Sequence, residues 1–262
     1  MFALKNISVK VGGRPLLKNI HLEAKPNEIT GLIGKSGSGK STLFRLALGL
    51  LGETDGYQWS GNLFWKEKEL PNRKNPKLQP VFQDPHGSFS HLGTMKELLL
   101  EPIRIKNHFF LKEETKRQEW DRIKTFCNRF ELPEELLVKT KQELSGGQLQ
   151  RFAILRALLM DPEYLLLDEP VTALDVLVQK KIAEELKQMN QTEKLGMFIV
   201  SHDLGFLSYM CDRIFVLDGG EIVEFGRTKE ILTNPKSELL QSLMEARNHS
   251  FGGVVSSSES SN

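Results

Sequence analysis

Residues Gly34-Lys35-Ser36-Gly37-Ser38-Gly39-Lys40-Ser41 fit the pattern GxxxxGK[ST] and follow directly on a short apolar stretch, Ile29 to Ile33. No other feature restricts the fold as strongly, because the chemistry of this loop works only between a strand and a helix. The helical pattern is there: from Ser41 onward, Leu43, Leu46, Ala47 and Leu50 recur on one face. Glycines let backbone N–H groups close around phosphates, and the helix turns its positive end toward them. Lys40 supplies a point charge for the β- and γ-phosphates, and the Ser41 hydroxyl suits Mg²⁺. The segment therefore implies an α/β fold with a nucleoside triphosphate site.

A second apolar run, Tyr164-Leu165-Leu166-Leu167, ends in Asp168-Glu169-Pro170. Carboxylates at the end of a buried strand are costly unless something pairs with them, and a hydrated Mg²⁺ does so. Asp168 is then the metal-side residue, and Glu169, on the opposite side of the chain, polarises the attacking water.

Leu144-Ser145-Gly146-Gly147-Gln148 precedes an amphipathic run, Leu149 to Leu159. Ser145 and Gln148 have the S-x-x-Q spacing of a capping box, which predicts Ser145 as an N-cap. The two glycines leave the N–H groups at this helix start uncovered, so the chain carries a second prepared anion site.

Around these motifs, residues 1 to about 30 read as β-rich, with Gly12-Gly13 marking a hairpin-like turn. The stretch from Gly93 to Lys141 reads as helical. Glu113 to Phe130 places Trp120, Ile123, Phe126 and Phe130 at helical spacing, and Pro102 and Pro133 punctuate the region. Phe198 to Val200 reads as another strand buried on both faces, Gln179 to Asn190 as a helix, and Asp218-Gly219-Gly220 as the turn of a hairpin. The fold expected is a P-loop NTPase core with a largely parallel sheet, an N-terminal antiparallel β subdomain and an inserted helical subdomain. The expected divisions are 1–92 (β subdomain and first part of the core), 93–160 (helical subdomain ending in the LSGGQ helix) and 161–247 (remainder of the core and a C-terminal helix). Residues 248–262, rich in Ser and Gly, are expected to be disordered.

Composition narrows the function. Lys plus Arg (35) balances Asp plus Glu (34), so no global field favours nucleic acid or an anionic bilayer. No apolar run is long enough to span a bilayer, and Met1 to Leu17 lacks the apolar core of a secretory signal. Cys127 and Cys211 lie far apart and outside any CxxC spacing, as expected of buried thiols in a reducing compartment. A cytoplasmic protein that meets membrane through a partner is the expectation.

The LSGGQ run at 144–148, beside the phosphate loop and the Asp168-Glu169 strand end, resembles the signature of ABC ATPases, and further elements follow in order. Gln83 matches the family's Q-loop glutamine, Thr172-Ala173-Leu174-Asp175 is similar to its D-loop, and His202 in Val200-Ser201-His202-Asp203 matches its switch histidine. The resemblance implies an ATPase that uses ATP and Mg²⁺, with two such subunits stacked head to tail. ATP would be bound by residues 34–41 with Thr42. Ser145, Gly146, Gly147, Gln148 and Asp175 would reach the nucleotide of the other subunit. Glu169 would be the general base, His202 would hold the γ-phosphate and water, and Gln83 would join Ser41 and Asp168 at the metal.

The segment Pro80 to Ser90, with Gln83-Asp84-Pro85, is similar to the QDPxxSLNP run of oligopeptide, dipeptide and nickel importers; Glu101-Pro102 and Asn234-Pro235 resemble their later motifs. His91 and Ser237-Glu238 depart from that pattern. Family members usually place an aromatic residue ahead of the first turn to stack on adenine, and here that position is Val11. The function implied is the ATP-hydrolysing subunit of an importer of peptides or nickel, at the cytoplasmic face of the inner membrane. Its partners would be a second ABC ATPase subunit (a homodimer or a paralogous heterodimer), two transmembrane permease subunits and an extracytoplasmic substrate-binding protein, with no nucleic acid. A non-transport ABC ATPase and an exporter subunit are the alternatives. The former usually carries long coiled coils, zinc hooks or paired cassettes, and the QDP and EP motifs argue against the latter.

Overall fold

The structure is a computed structural model that describes residues 1–52, 56–70, 75, 77–107, 113–172 and 174–252, with side chains described as far as 246. In chain order the strands and helices are β1 (Phe2–Val11), β2 (Arg14–Ala24), β3 (Ile29–Gly34), α1 (Lys40–Ala47), β4 (Tyr57–Trp65), β5 (Lys68–Glu69), β6 (Leu78–Val81), α2 (Met95–Lys106) and α3 (Glu113–Arg129). There follow α4 (Gly146–Leu158), β7 (Tyr164–Asp168), α5 (Val176–Glu193), β8 (Gly196–Ser201), α6 (Leu204–Met210), β9 (Arg213–Asp218), β10 (Glu221–Arg227), α7 (Thr228–Thr233) and α8 (Glu238–Gly252). Short 3₁₀ turns cover His86–Ser88, Glu134–Val138 and Lys141–Glu143. The chain forms two compact units, one of Met1–Lys74 with Phe198–Asn262 and one of Asn75–Met197.

In the first unit, an antiparallel sheet runs in the order β2-β1-β4-β5. Gly12 (φ 54°) and Gly13 (φ 78°) make the β1–β2 turn, the left-handed pair that a two-residue hairpin demands. The second group of strands has the order β10-β9-β3-β8, with β3 parallel to β9 from Thr30↔Arg213 to Gly34↔Leu217. Every residue of β3 is buried, as expected of a strand covered on both faces. The β9–β10 turn at Gly219-Gly220 lies against β2: the Gly220 carbonyl accepts from Lys18 N–H at 2.8 Å, and a Cβ on Gly220 would meet the Leu16 carbonyl oxygen at 2.3 Å. Helix α1 stops at Ala47 because Gly49 turns left-handed (φ 69°). Leu50, expected on the buried face of that helix, lies beyond it and is 52% exposed.

In the second unit, β6 and β7 pair in parallel from Leu78↔Tyr164 to Val81↔Leu167. Helix α4 buries Leu149, Phe152, Ile154 and Leu155, each removing apolar area worth about 1.5–3 kcal/mol. Helix α3 buries Ile123 and Phe126, while Trp120 stays half-exposed with the Lys96 ammonium 4.5 Å from its ring centre. Burial pushes the Cys127 thiol up to about 11, with the Glu134 charge adding to the effect, so this thiol stays protonated.

A further sequence expectation shifts at Pro102. Pro102 stands inside α2, which continues to Lys106. Burial of Leu98, Leu99 and Ile103 holds the helix together against a proline cost of about 3 kcal/mol. Helix α8 runs to Gly252, and residues 253–262 of the stretch expected to be disordered lie outside the described residues.

Candidate nucleotide site

Each unit carries its own set of candidate side chains. In the first, β3 delivers the chain at Gly34 into a loop whose geometry is set by glycine. Gly37 (φ 80°) and Gly39 (φ 103°) are left-handed. A Cβ on Gly34 would lie 2.4 Å from the Leu217 carbonyl oxygen, so no side chain fits there. The Lys40 ammonium donates to the carbonyl oxygens of Gly34 (2.8 Å) and Lys35 (2.9 Å). Lys35, Ser36, Gly37 and Ser41 are exposed, and Thr42 is half-buried.

This loop fits an anion in two further respects. The Ser38 hydroxyl is buried without a hydrogen-bond partner among the described residues. Helix α1 has Gly39 as its N-cap and so no side-chain cap, a feature shared only by the short α7 among the helices with a described cap, whereas α2, α4, α5 and α6 are capped by Thr94, Ser145, Asp175 and Asp203. Uncapped N–H groups at a helix start are the donors that a phosphate takes up. In the same unit His202 follows the last residue of β8, exposed, between buried Ser201 and the α6 cap Asp203. Val11 closes β1 and is 36% exposed.

In the second unit, Asp168 ends β7 and Glu169 follows it, both more than nine-tenths buried. Glu169 has φ 48°, a left-handed conformation that costs a non-glycine residue roughly 1–2 kcal/mol. The Thr172 hydroxyl donates to the Glu169 carbonyl oxygen (3.2 Å) and to its Oε2 (3.3 Å), bracing the turn. Asp175 caps α5 by accepting from Val178 N–H at 3.0 Å. Ala173, between them in the D-loop pattern, lies outside the described residues.

The capping box expected at 145–148 is present in full: Ser145 Oγ accepts from Gln148 N–H (3.2 Å), and Gln148 Oε1 accepts from Ser145 N–H (3.0 Å). Ser145 and Gly146 are exposed, and Gly147 and Gln148 are half-buried. Gln83 is exposed, just past β6.

Sequence reasoning missed the residues that hold the segment after Gln83. Lys141 is buried, and its ammonium donates to the carbonyl oxygens of His86 (2.8 Å) and Phe89 (2.6 Å). Arg156 of α4 donates to the Ser88 carbonyl oxygen at 2.7 Å and to Glu101 of α2 at 2.9 Å. Glu101 of the EP motif is thus tied through one guanidinium to the run that begins at Gln83. Only the Glu101-Pro102 motif hinted at this; nothing in the periodicity around Lys141 or Arg156 did.

A buried strand opening into a glycine loop and an uncapped helix, and elsewhere a buried strand closing on two carboxylates, define a P-loop nucleoside triphosphatase. Residues 17–172 match the family described as ABC transporter. The chain is 33% identical over 234 residues to a putative peptide import ATP-binding protein of Brucella ovis, covering 88% of this chain and 72% of that protein. It is 36% identical over 238 residues to the oligopeptide transport ATP-binding protein OppF of Streptococcus pyogenes serotype M1, covering 88% of this chain and 75% of that protein. Among solved structures, it resembles a dimeric post-hydrolysis state of the ATP-binding cassette MJ0796 bound to ADP and Pi, with a TM-score of 0.75 and 28% identity over 87% of this chain and 99% of that one. It also resembles cbiO1 from Clostridium perfringens, part of the ABC transporter complex cbiONQ, with a TM-score of 0.75 and 25% identity over 97% of this chain and 96% of that one. This chain belongs to the ABC transporter family, as an ATP-binding and ATP-hydrolysing cassette.

Proposed function

We propose that this chain is the ATPase subunit of a peptide importer, working as one of two cassettes on a membrane permease. The observation that carries the pairing is the start of α4. The Ser145–Gln148 box uses the N–H groups of those two residues only, so those of Gly146 and Gly147, with Ser145 and Gly146 exposed and no side chain on either glycine, can take an anion in addition to the one the phosphate loop takes. A second cassette, identical or paralogous, supplies that anion as the phosphates of its own ATP, contacted by Ser145, Gly146, Gly147, Gln148 and Asp175. The cargo follows from the named relatives, which are peptide import and oligopeptide transport ATP-binding proteins.

In this reading, Gly34 to Thr42 hold the triphosphate, with Lys40 giving up its contacts to the Gly34 and Lys35 carbonyl oxygens for phosphate oxygens. Ser41, Gln83 and Asp168 offer oxygen donors of the kind Mg²⁺ takes, and the ion supplies positive charge against the phosphates when bound. Glu169 accepts a proton from the attacking water at its carboxylate, and His202 orients the terminal phosphate. Gln83, carried by a segment that Lys141 and Arg156 brace, passes the state of the site to the permease. Among the described residues no helix is long and apolar enough to cross a membrane. The crossing is assigned to two permease subunits, fed by an extracytoplasmic binding protein, with this chain at the cytoplasmic face.

Proteoliposomes holding the chain with its permease and partner cassette test the reading. ATP-dependent uptake of a labelled oligopeptide, lost in Glu169→Gln, is the expected result. Uptake of nickel but not peptide would replace the cargo, and ATP turnover with uptake of neither would remove the importer reading.

A further inference from the structure

The phosphate loop packs on one particular face of the N-terminal sheet. A Cβ on Gly39 would lie 2.6 Å from Leu17 Cδ2, so the loop rests directly on the Leu17 side chain. Leu17 pairs with Val9 of β1, and paired residues in an antiparallel ladder put their side chains on one face. Between β1 and β4 the register is unbroken over Val9↔Trp59, Lys10↔Gln58 and Val11↔Tyr57. Side chains alternate along a strand, so Val11 and Tyr57 share the face of Val9 and Leu17, two residues or roughly 7 Å nearer the β1–β2 turn.

The last rung on the face that carries the loop is therefore Val11 beside Tyr57. Val11 is 36% exposed and offers only a branched aliphatic surface. Tyr57 is half-buried and is the aromatic partner on that rung. The start of its strand is tied to the turn, since Gly12 N–H donates to the Gly56 carbonyl oxygen at 3.4 Å. A nucleotide with its phosphates in the loop projects its base away from the loop, and a flat aromatic ring on the same face is the natural surface for it.

We infer that Tyr57 stacks on the adenine of bound ATP, so that β4 provides the aromatic surface that Val11 at the end of β1 does not. The inference rests on the ATP site proposed above and assigns its base-binding residue.

Titration of the full chain with ATP and, separately, with inorganic tripolyphosphate tests it. Tyr57→Ala is expected to weaken ATP binding on the order of 10-fold, as loss of one base–aromatic stack does, while leaving tripolyphosphate binding unchanged. Tyr57→Phe keeps the ring and should bind ATP as the parent does. Tyr57→Leu preserves apolar bulk and stands in if the alanine variant fails to fold. The double variant Val11→Tyr/Tyr57→Ala restores a ring to the same rung and should recover ATP affinity. Unchanged ATP affinity in both Tyr57→Ala and Tyr57→Leu overturns the inference, as does equal weakening of ATP and tripolyphosphate, which marks a structural role. Lys40→Ala separates the two readings. If it abolishes binding of both ligands while Tyr57 variants are silent, only the stacking role falls; if it changes neither, the phosphate site itself is misassigned.

Discussion

The Lys40 ammonium donates to the carbonyl oxygen of Gly34 at 2.8 Å, and so bridges the loop to which it belongs. It also donates to the Lys35 carbonyl oxygen at 2.9 Å, so two neutral acceptors of the loop hold this buried ammonium in place. A phosphate oxygen adds direct Coulomb attraction to the ammonium that a neutral carbonyl lacks, which favours exchange of the carbonyls for phosphate oxygens. We expect Lys40→Ala to lower ATP affinity by at least 10-fold, corresponding to about 1.5–3 kcal/mol for a charged hydrogen-bonding group. Equilibrium binding measures this, and wild-type affinity in the variant would remove Lys40 from the site.

Glu169 occupies a left-handed turn braced by Thr172, with its carboxylate buried. Glu169→Gln retains the shape and loses the base, so we expect hydrolysis to fall on the order of 10²–10⁴-fold with ATP binding intact. Single-turnover hydrolysis with the partner cassette disabled isolates this chain's contribution. Thr172→Val is expected to lower the hydrolysis rate more modestly, by loosening the turn.

Ser145 caps α4 and, in the proposed pairing, also meets the other cassette's phosphates. Ser145→Ala should cost about 1 kcal/mol of stability from the cap alone. Ser145→Asp keeps an acceptor for Gln148 N–H but sets a negative charge where an anion is expected. It should therefore melt near the parent temperature and yet fail to form the ATP-dependent dimer. Dimerisation of Ser145→Asp at parental strength, followed by light scattering, would argue against the pairing.

Glu224 of β10 accepts from Lys236 N–H (3.0 Å), Ser237 N–H (2.8 Å) and the Ser237 hydroxyl (2.6 Å), fastening the start of α8. Burial pushes its carboxyl upward, but the Ser237 and Lys236 donors outweigh this and hold it below the ordinary value of 4.5. A carboxyl depressed on folding contributes stability that is present above its unfolded value and lost as pH falls through the folded one. Hence the stability gap between the parent and Glu224→Gln should be open near neutral pH and narrow below about pH 4.5. Urea melts at a series of pH values read this directly; a gap independent of pH would remove the ionised carboxylate as the cause. The contact also gives Ser237 a role, at a position where the sequence departs from the importer pattern.

Several elements were legible because they are local. The glycine loop, the Ser145–Gln148 box and the Gly12-Gly13 turn are decided within a few residues by backbone freedom and short hydrogen bonds. Where the signal was read as local but neighbours intervened, the outcome changed. Gly49 ended α1 before Leu50, and packing carried α2 through Pro102, a residue read as punctuating the region.

The sequence by itself determined that this chain binds a nucleoside triphosphate on an α/β core and belongs with ABC cassettes. Those properties follow from residue types at fixed spacing, which any folded form of the chain must honour. What only the tertiary structure decided is which distant residues serve those motifs. Strand register set Tyr57 beside Val11, a buried ammonium on Lys141 gathered the carbonyls of His86 and Phe89, and Arg156 linked Ser88 to Glu101. Spacing along the chain carries no record of such pairings, because they are fixed by the need to satisfy buried polar groups and to align strands once the core has closed.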